Sequence, residues 1–202
     1  MTPDKPADSQ SRTSLTLLER LREKDELAWS HFESFYGPII FRFCISRGVS
    51  HDQAEEVKSQ CYEAVVKQIE SFTYDERRGR FRNWLLTIAA RRIADYLNRK
   101  KHVQADTRVL EAIETQDSSP EVLWEKHWRQ QILIEASNRV ESRMNDESRE
   151  VFRRLVQRAE PVNLIASELG ISTNQVYKTK QRSIQMLREE IQILECDPLT
   201  AG

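Results

Sequence analysis

The sequence contains few of the residues that build tight turns, disulfides or metal sites. Its 202 residues include five glycines and six prolines, most of them between periodic segments, which favours helices over strands. The three cysteines form no Cys-x-x-Cys pair, so we expect reduced thiols, with Cys44 and Cys61 in the core. The four histidines lack the spacing of zinc ligands, and we expect no metal and no other cofactor.

Long apolar runs are also missing. No run approaches the ~18 residues that a membrane span needs, and the first residues lack the apolar core of a signal peptide. We therefore expect a cytoplasmic protein without membrane insertion. A hydrophobic fraction of 39% against 31% charged residues is typical of small cores and much helical surface, in one medium domain or two small ones.

The net charge of −1 hides two basic stretches. Residues 77–101 contain nine basic residues and one acid, and residues 172–188 contain four basic residues and no acid. Between them, residues 105–125 contain six acids and one arginine. Because affinity for nucleic acid follows the local neutralisation of phosphates, this distribution predicts a nucleic-acid binder with an acidic connector.

Apolar residues recur at steps of three and four along most of the chain, which predicts an all-α fold. We expect two small helical domains joined by an acidic linker, the second containing a helix-turn-helix. The predicted parts are a disordered tail (1–13), a first domain (14–103) with a loop at 73–80, the linker (104–121), a second domain (122–195) and a tail (196–202).

The stretch NLIASELGISTNQVYKTKQRS, residues 163–183, has the pattern of a helix-turn-helix. Ala166 suits the crossing of two helices, Gly170 the positive φ of the turn, and Val176 the seating of the second helix. Ser172 and Gln175 predict a capping box that starts this second helix. An ordinary helical hairpin is the alternative, but the agreement of turn, cap and packing residues favours a nucleic-acid reader.

The second helix of this pattern separates a polar side from an apolar side. Arginine and lysine suit guanine edges, asparagine and glutamine suit adenine, and each can also meet phosphates in a major groove. Lys180 falls on the apolar side, where its stem could pack while its ammonium reaches a phosphate. The predicted DNA-binding residues for an upstream duplex element are Asn174, Gln175, Tyr177, Lys178, Gln181, Arg182 and Gln185.

The stretch GRFRNWLLTIAARRIADYLNRKK, residues 79–101, interleaves basic and aromatic residues along an amphipathic helix. Cations hold the backbone of melted DNA, and aromatic faces capture unpaired bases at ~1–3 kcal/mol each. We expect Phe81 and Trp84 in the core, and Phe72 and Tyr74 at the bases. The predicted residues for a melted downstream element are Tyr74, Arg77, Arg78, Arg80, Arg82, Arg91, Arg92, Asn98 and Arg99.

These two motifs together resemble the bacterial RNA polymerase sigma factors of the extracytoplasmic-function (ECF) type, in the sigma-70 family. The family's melting helix, roughly FRxWLxxIAxxxxxDxLRR, is matched in order over residues 81–99. Its helix-turn-helix, IAxxLGISxxxVxxxxxRxxxxLR, is matched over residues 165–188, and the resemblance covers about residues 15–190. It implies a sigma factor, not an enzyme, that binds core RNA polymerase and directs promoter recognition, melting and transcription initiation.

The segment QAEEVKSQCY, residues 53–62, resembles the family's docking segment for the clamp helices of the largest polymerase subunit. Lys58 and Ser59 depart from the family's apolar residue and glutamine. The partners that the resemblance implies are core RNA polymerase, promoter DNA and, as is usual in the family, an anti-sigma factor. The implied docking residues are Asp52, Glu55, Glu56, Ser59, Gln60 and Glu63.

Two other classes of protein stay open. A stand-alone helix-turn-helix regulator usually dimerises on a palindrome, and the basic and aromatic melting segment has no role in such a protein. A DNA-processing enzyme needs a catalytic set. Asp52, Glu56 and Glu63 share the outer face of one predicted helix, but the sequence supplies neither histidine ligands nor a glycine-rich phosphate loop beside them.

Overall fold

The computed structural model of this chain describes residues 18–72, 81–104 and 119–196. These residues form helices and short connections without a strand, which confirms the all-α prediction. The predicted tail at 1–13 and the loop at 73–80 lie outside the described residues. The helices are α1 (residues 18–22), α2 (Glu26–Ser46), α3 (His51–Gln68), α4 (Phe81–Gln104), α5 (Pro120–Ser142), α6 (Asp146–Phe152), a π-helical turn (Arg153–Gln157), α7 (Val162–Leu169) and α8 (Thr173–Cys196).

The chain divides into two compact units, Met1–Gln131 and Ile132–Gly202. The expected boundary near residue 122 differs from this division, because residues 120–131 of α5 belong to the first unit. Ser119 and Pro120, which favour a linker by composition, begin this helix instead. The Ser119 hydroxyl accepts a bond from the Val122 amide (3.4 Å), and proline is well suited to a first helical position.

Helix α2 supplies the aromatic face around which the first unit packs. Asp25 caps its start by accepting hydrogen bonds from the amides of Leu27 (2.9 Å) and Ala28 (3.2 Å), which satisfies two donors that the first turn leaves without partners. Phe32 is buried, and its ring lies 5.7 Å from Tyr62 of α3 and 6.1 Å from Phe81 of α4. One ring therefore joins three helices.

Helix α3 and the residue after it bury one apolar stripe: Ala54, Val57, Cys61, Val65 and Ile69. Its close approach to α2 requires a glycine, since a Cβ at Gly37 would lie 2.5 Å from the Tyr62 hydroxyl. Cys44 and Cys61 are both buried, as expected, and burial raises the pKa of each thiol to about 12. At neutral pH both are packing atoms rather than nucleophiles.

The first half of α5 packs against the same aromatic face. The Trp124 ring lies 5.3 Å from Phe43, and the Trp128 ring lies 5.5 Å from Phe35. A hydrogen bond of 2.8 Å from the Arg42 guanidinium to the Gln131 side chain extends this contact. Both tryptophans are almost fully buried, at 2% and 5% exposure.

We predict that Trp128→Ala lowers the free energy of unfolding of the first unit by ~3–5 kcal/mol, because it removes a buried aromatic ring and leaves a cavity. Val122→Ala is the matched control on the same helix. Its side chain is 59% exposed, so the change should stay within about 0.5 kcal/mol. Urea unfolding of the full chain measures both. Equal effects of the two substitutions would show that α5 does not belong to this core.

Candidate polymerase and nucleic-acid interfaces

The predicted docking residues lie together on the outer face of α3. Glu56 hydrogen-bonds with Gln60 (2.8 Å), and Glu55 and Glu63 pair with lysines on the same helix (2.5 and 3.6 Å). These one-turn pairs orient the acids without burying them, so they contribute little to stability and leave the acidic face open. Five of the six residues are exposed and Gln60 is half-buried: Asp52, Glu55, Glu56, Ser59, Gln60 and Glu63.

Helix α4 packs beside α3 and carries the described part of the predicted melting residues. Arg91, Asn98 and Arg99 are exposed, and Arg92 is half-buried near Asp95 (3.8 Å). The Arg99 guanidinium reaches the Gln60 side chain of α3 at 3.5 Å. The basic surface of α4 is thus continuous with the acidic surface of α3. Four further predicted residues lie outside the described ones: Tyr74, Arg77, Arg78 and Arg80.

Arg82 differs from the other predicted cations of α4 because α5 holds it. Its guanidinium lies 3.2 Å from the Glu125 carboxylate and 5.3 Å from the centroid of the Trp128 ring. A carboxylate and an aromatic face both favour a cation, so Arg82 is engaged on two sides. Glu125 and Trp128 were not predicted at this position, because their helix was assigned to the other domain.

The aromatic residues beside residues 73–80 form a small cluster. Phe81 is buried as predicted, whereas Trp84 is only half-buried. Phe72, which we expected at unpaired bases, packs instead with its ring 4.6 Å from Trp84 and 5.8 Å from Phe81. An aromatic ring so close to two others is stabilised by burial and ring contacts, which accounts for its place in this cluster.

In the second unit, α7, a short turn and α8 follow the helix-turn-helix prediction. Gly170 ends α7 with φ +66°, a left-handed conformation that glycine adopts without strain. Ala166 and Val176 pack in one buried cluster with Ile165 and Val151, as the sequence predicts. Pro161 lies immediately before the first turn of α7 and makes no side-chain hydrogen bond to it.

The capping box at the start of α8 is formed as predicted. The Ser172 hydroxyl accepts a hydrogen bond from the Gln175 amide (3.2 Å), and the Gln175 side-chain oxygen accepts one from the Ser172 amide (3.0 Å). These reciprocal bonds satisfy two donors at the helix start. They also turn the Gln175 side-chain carbonyl back toward the helix, so Gln175 fixes the start of α8 as well as contributing to its surface.

The rest of α8 separates its two sides. Val176, Ser183 and Leu194 are buried on its inner side. Lys180, whose place the sequence left open, is exposed. The predicted DNA-binding residues of α8 are all exposed: Asn174, Gln175, Tyr177, Lys178, Gln181, Arg182 and Gln185.

Two arginines that the sequence analysis did not single out organise this unit. Arg154, 9% exposed, pairs with Glu160 before α7 (2.5 Å) and with Glu168 on α7, and these carboxylates raise its pKa. Arg143 pairs with Glu190, a carboxylate of α8 with only 1% exposure. A carboxylate buried this deeply needs such a partner, because an unpaired charge there would be strongly destabilising.

In the three described stretches, no group of histidine, cysteine and acidic side chains could hold a metal ion. No helix within residues 18–72, 81–104 and 119–196 has both the length and the apolar character for crossing a membrane.

Part of the chain is similar to known sigma factors. Residues 35–103, which include most of α2, all of α3 and all but the last residue of α4, match the family model of sigma-70 region 2. The ECF RNA polymerase sigma factor BldN of Streptomyces coelicolor is 30% identical over 90 residues, which cover 45% of this chain and 33% of that protein. Residues 35–103 of the first unit are thus similar to sigma-70 region 2.

Two solved structures are also similar. The structure of an RsbN–BldN complex has 17% identity and a TM-score of 0.36, covering 85% of this chain and 97% of that one. The structure of CnrH with the cytosolic domain of CnrY has 14% identity and a TM-score of 0.36, covering 92% and 98%. Likeness at this level is too low to inform the arrangement of the two units.

We predict that Ser172→Ala lowers the free energy of unfolding by about 1 kcal/mol, because it removes the cap of α8. Ser167→Ala is the control, since this exposed serine bonds only to a carbonyl of its own helix (3.0 Å) and its loss should cost under about 0.5 kcal/mol. Gln175→Ala should cost less on a Ser172→Ala background than alone, because the two side chains act together. Strict additivity in urea unfolding would contradict the reciprocal cap.

Proposed function

We propose that this chain is a sigma factor of the ECF type that binds core RNA polymerase through α3, opens the promoter with α4 and the preceding residues, and reads an upstream duplex element with α8. The observation that carries the proposal is the pair of adjoining surfaces on α3 and α4, one acidic and one basic, within the residues that match sigma-70 region 2. In this role the protein is a cytoplasmic transcription initiation factor rather than an enzyme, and an anti-sigma factor is a further partner that the family implies.

The charges support this division of labour. Exposed carboxylates on α3 can meet a basic protein surface, where charge complementarity guides association and suppresses wrong partners. Exposed arginines on α4 can hold the backbone of single-stranded DNA, which binds through cations and stacked aromatic rings. The exposed amides and cations of α8 have the donor and acceptor groups that read base edges and phosphates in a major groove.

The first test is binding to purified core RNA polymerase. The full chain should form a stoichiometric complex, and Glu56→Lys should weaken it about tenfold, because charge reversal opposes a complementary surface. Glu23→Lys makes the same charge change at an exposed position outside α3 and should have little effect. A chain that folds but retains no polymerase would instead favour the stand-alone helix-turn-helix regulator.

The second test separates base capture from packing. Tyr74→Ala should slow promoter opening, because it removes ~1–3 kcal/mol of base stacking. It should leave folding and polymerase binding intact. Permanganate reactivity of unpaired thymines measures opening, and a template with a pre-melted bubble should rescue the variant. Phe72→Ala is the control, since its ring packs against Trp84, and it should lower the free energy of unfolding. Normal opening by Tyr74→Ala would remove Tyr74 from the proposed contacts.

A further inference from the structure

A cleft of about 390 Å³ lies in the second unit, between the corner that joins α5 to α6 and the N-terminal half of α8. Its cationic lining consists of Arg143 from the corner and Lys178 and Arg182 from α8, and none of its lining residues is acidic. A concave site with three cations and no acid suits an anion, because each cation lowers the energy of a negative charge there.

Arg143 is held in place at this cleft by a carboxylate behind it. Glu190, with 1% exposure, accepts a hydrogen bond from one guanidinium nitrogen, while the Arg143 side chain as a whole remains 56% exposed. A guanidinium nitrogen of Arg139 lies 3.9 Å from the same carboxylate, so Arg139 also helps to neutralise the charge of Glu190. The guanidinium fork of Arg143 is therefore oriented by a buried partner while the residue lines the cleft, and a planar fork of this kind binds phosphate well.

The cleft divides the exposed side of α8 in two. Lys178 and Arg182, one helical turn apart, line it, whereas Tyr177 and Gln181 form a neighbouring row that does not. A DNA strand that follows the cleft would bring a phosphate to the first row and base edges to the second. Cations that face a protein corner are placed for a backbone phosphate rather than for the floor of the groove.

We propose that this cleft binds a backbone phosphate of the upstream duplex element, with Arg143, Lys178 and Arg182 as its ligands, and that base reading falls to the neighbouring row of α8. This inference rests on the proposed reading of duplex DNA by α8. It adds Arg143 to the interface and assigns Lys178 and Arg182 to the DNA backbone.

The test uses holoenzyme reconstituted from the full chain and core RNA polymerase, and a duplex selected by it from a pool randomised at the upstream element. Arg143→Gln should weaken binding about tenfold, as expected for one charged hydrogen-bonded contact. It should lower the slope of log affinity against log salt by about 0.9 and leave base preference unchanged at every position. Arg182→Gln should behave alike, whereas Gln181→Ala should relax preference at one base pair.

Arg158→Gln is the matched control, because this residue has 62% exposure, belongs to the same unit and does not line the cleft. It should leave both affinity and salt slope nearly unchanged. Arg143→Gln could unfold the unit because it leaves the buried Glu190 carboxylate without this partner. The double variant Arg143→Gln/Glu190→Gln removes both charges and should show the same loss of DNA affinity. A duplex with a single methylphosphonate at the contacted phosphate should bind wild type and Arg143→Gln equally.

Each of the other possible results would contradict a different part of the proposal. An Arg143→Gln holoenzyme with unchanged affinity and salt slope would refute the phosphate site while leaving the proposed function standing. A change of base preference in Arg182→Gln would make that residue a base reader. Tight binding of inorganic phosphate to the free chain, lost in Arg143→Gln while DNA binding persists, would identify a free-anion site instead. Failure to form any holoenzyme would refute the proposed function itself.

Discussion

The first unit depends on one aromatic face of α2. Phe32 and Tyr36 meet Phe81 at the start of α4, Phe32 also meets Tyr62 of α3, and the same helix receives the tryptophans of α5. Large rings bury much apolar area with few rotatable bonds, so one helix can organise several neighbours. The exposed charges of α3 and α4 are positioned by this contact, since each helix has only one apolar stripe to turn inward.

Sequence periodicity predicted the helices well, because a buried helix face places apolar residues at regular steps of three and four in the sequence. The spacing of Ala54, Val57 and Cys61 indicates a buried face whatever covers it. The spacing of Trp124 and Trp128 indicates a buried face in the same way, but periodicity does not identify the helix against which they pack. The composition of the preceding residues favoured a linker, and the boundary was therefore placed before these tryptophans rather than after Gln131.

The sequence predicted which charged residues of the candidate interfaces are exposed. It predicted less well how these residues pair with one another. The capping box of Ser172 and Gln175 acts over three residues, so local chemistry was sufficient to predict it. Pairs such as Arg143 with Glu190, or Arg82 with Glu125, join positions more than forty residues apart. Nothing in the local sequence distinguishes these arginines from solvated ones, because their partners are defined only when the helices pack.

The burial of Cys44 and Cys61 has a consequence for redox chemistry. Oxidants and alkylating reagents attack the thiolate, and burial suppresses both its formation and its accessibility. These sulfurs can therefore react only when the first unit opens, so modification at either position is controlled by the population of the open form. Modification of each thiol therefore reports on opening of the helices that carry the proposed polymerase and promoter contacts.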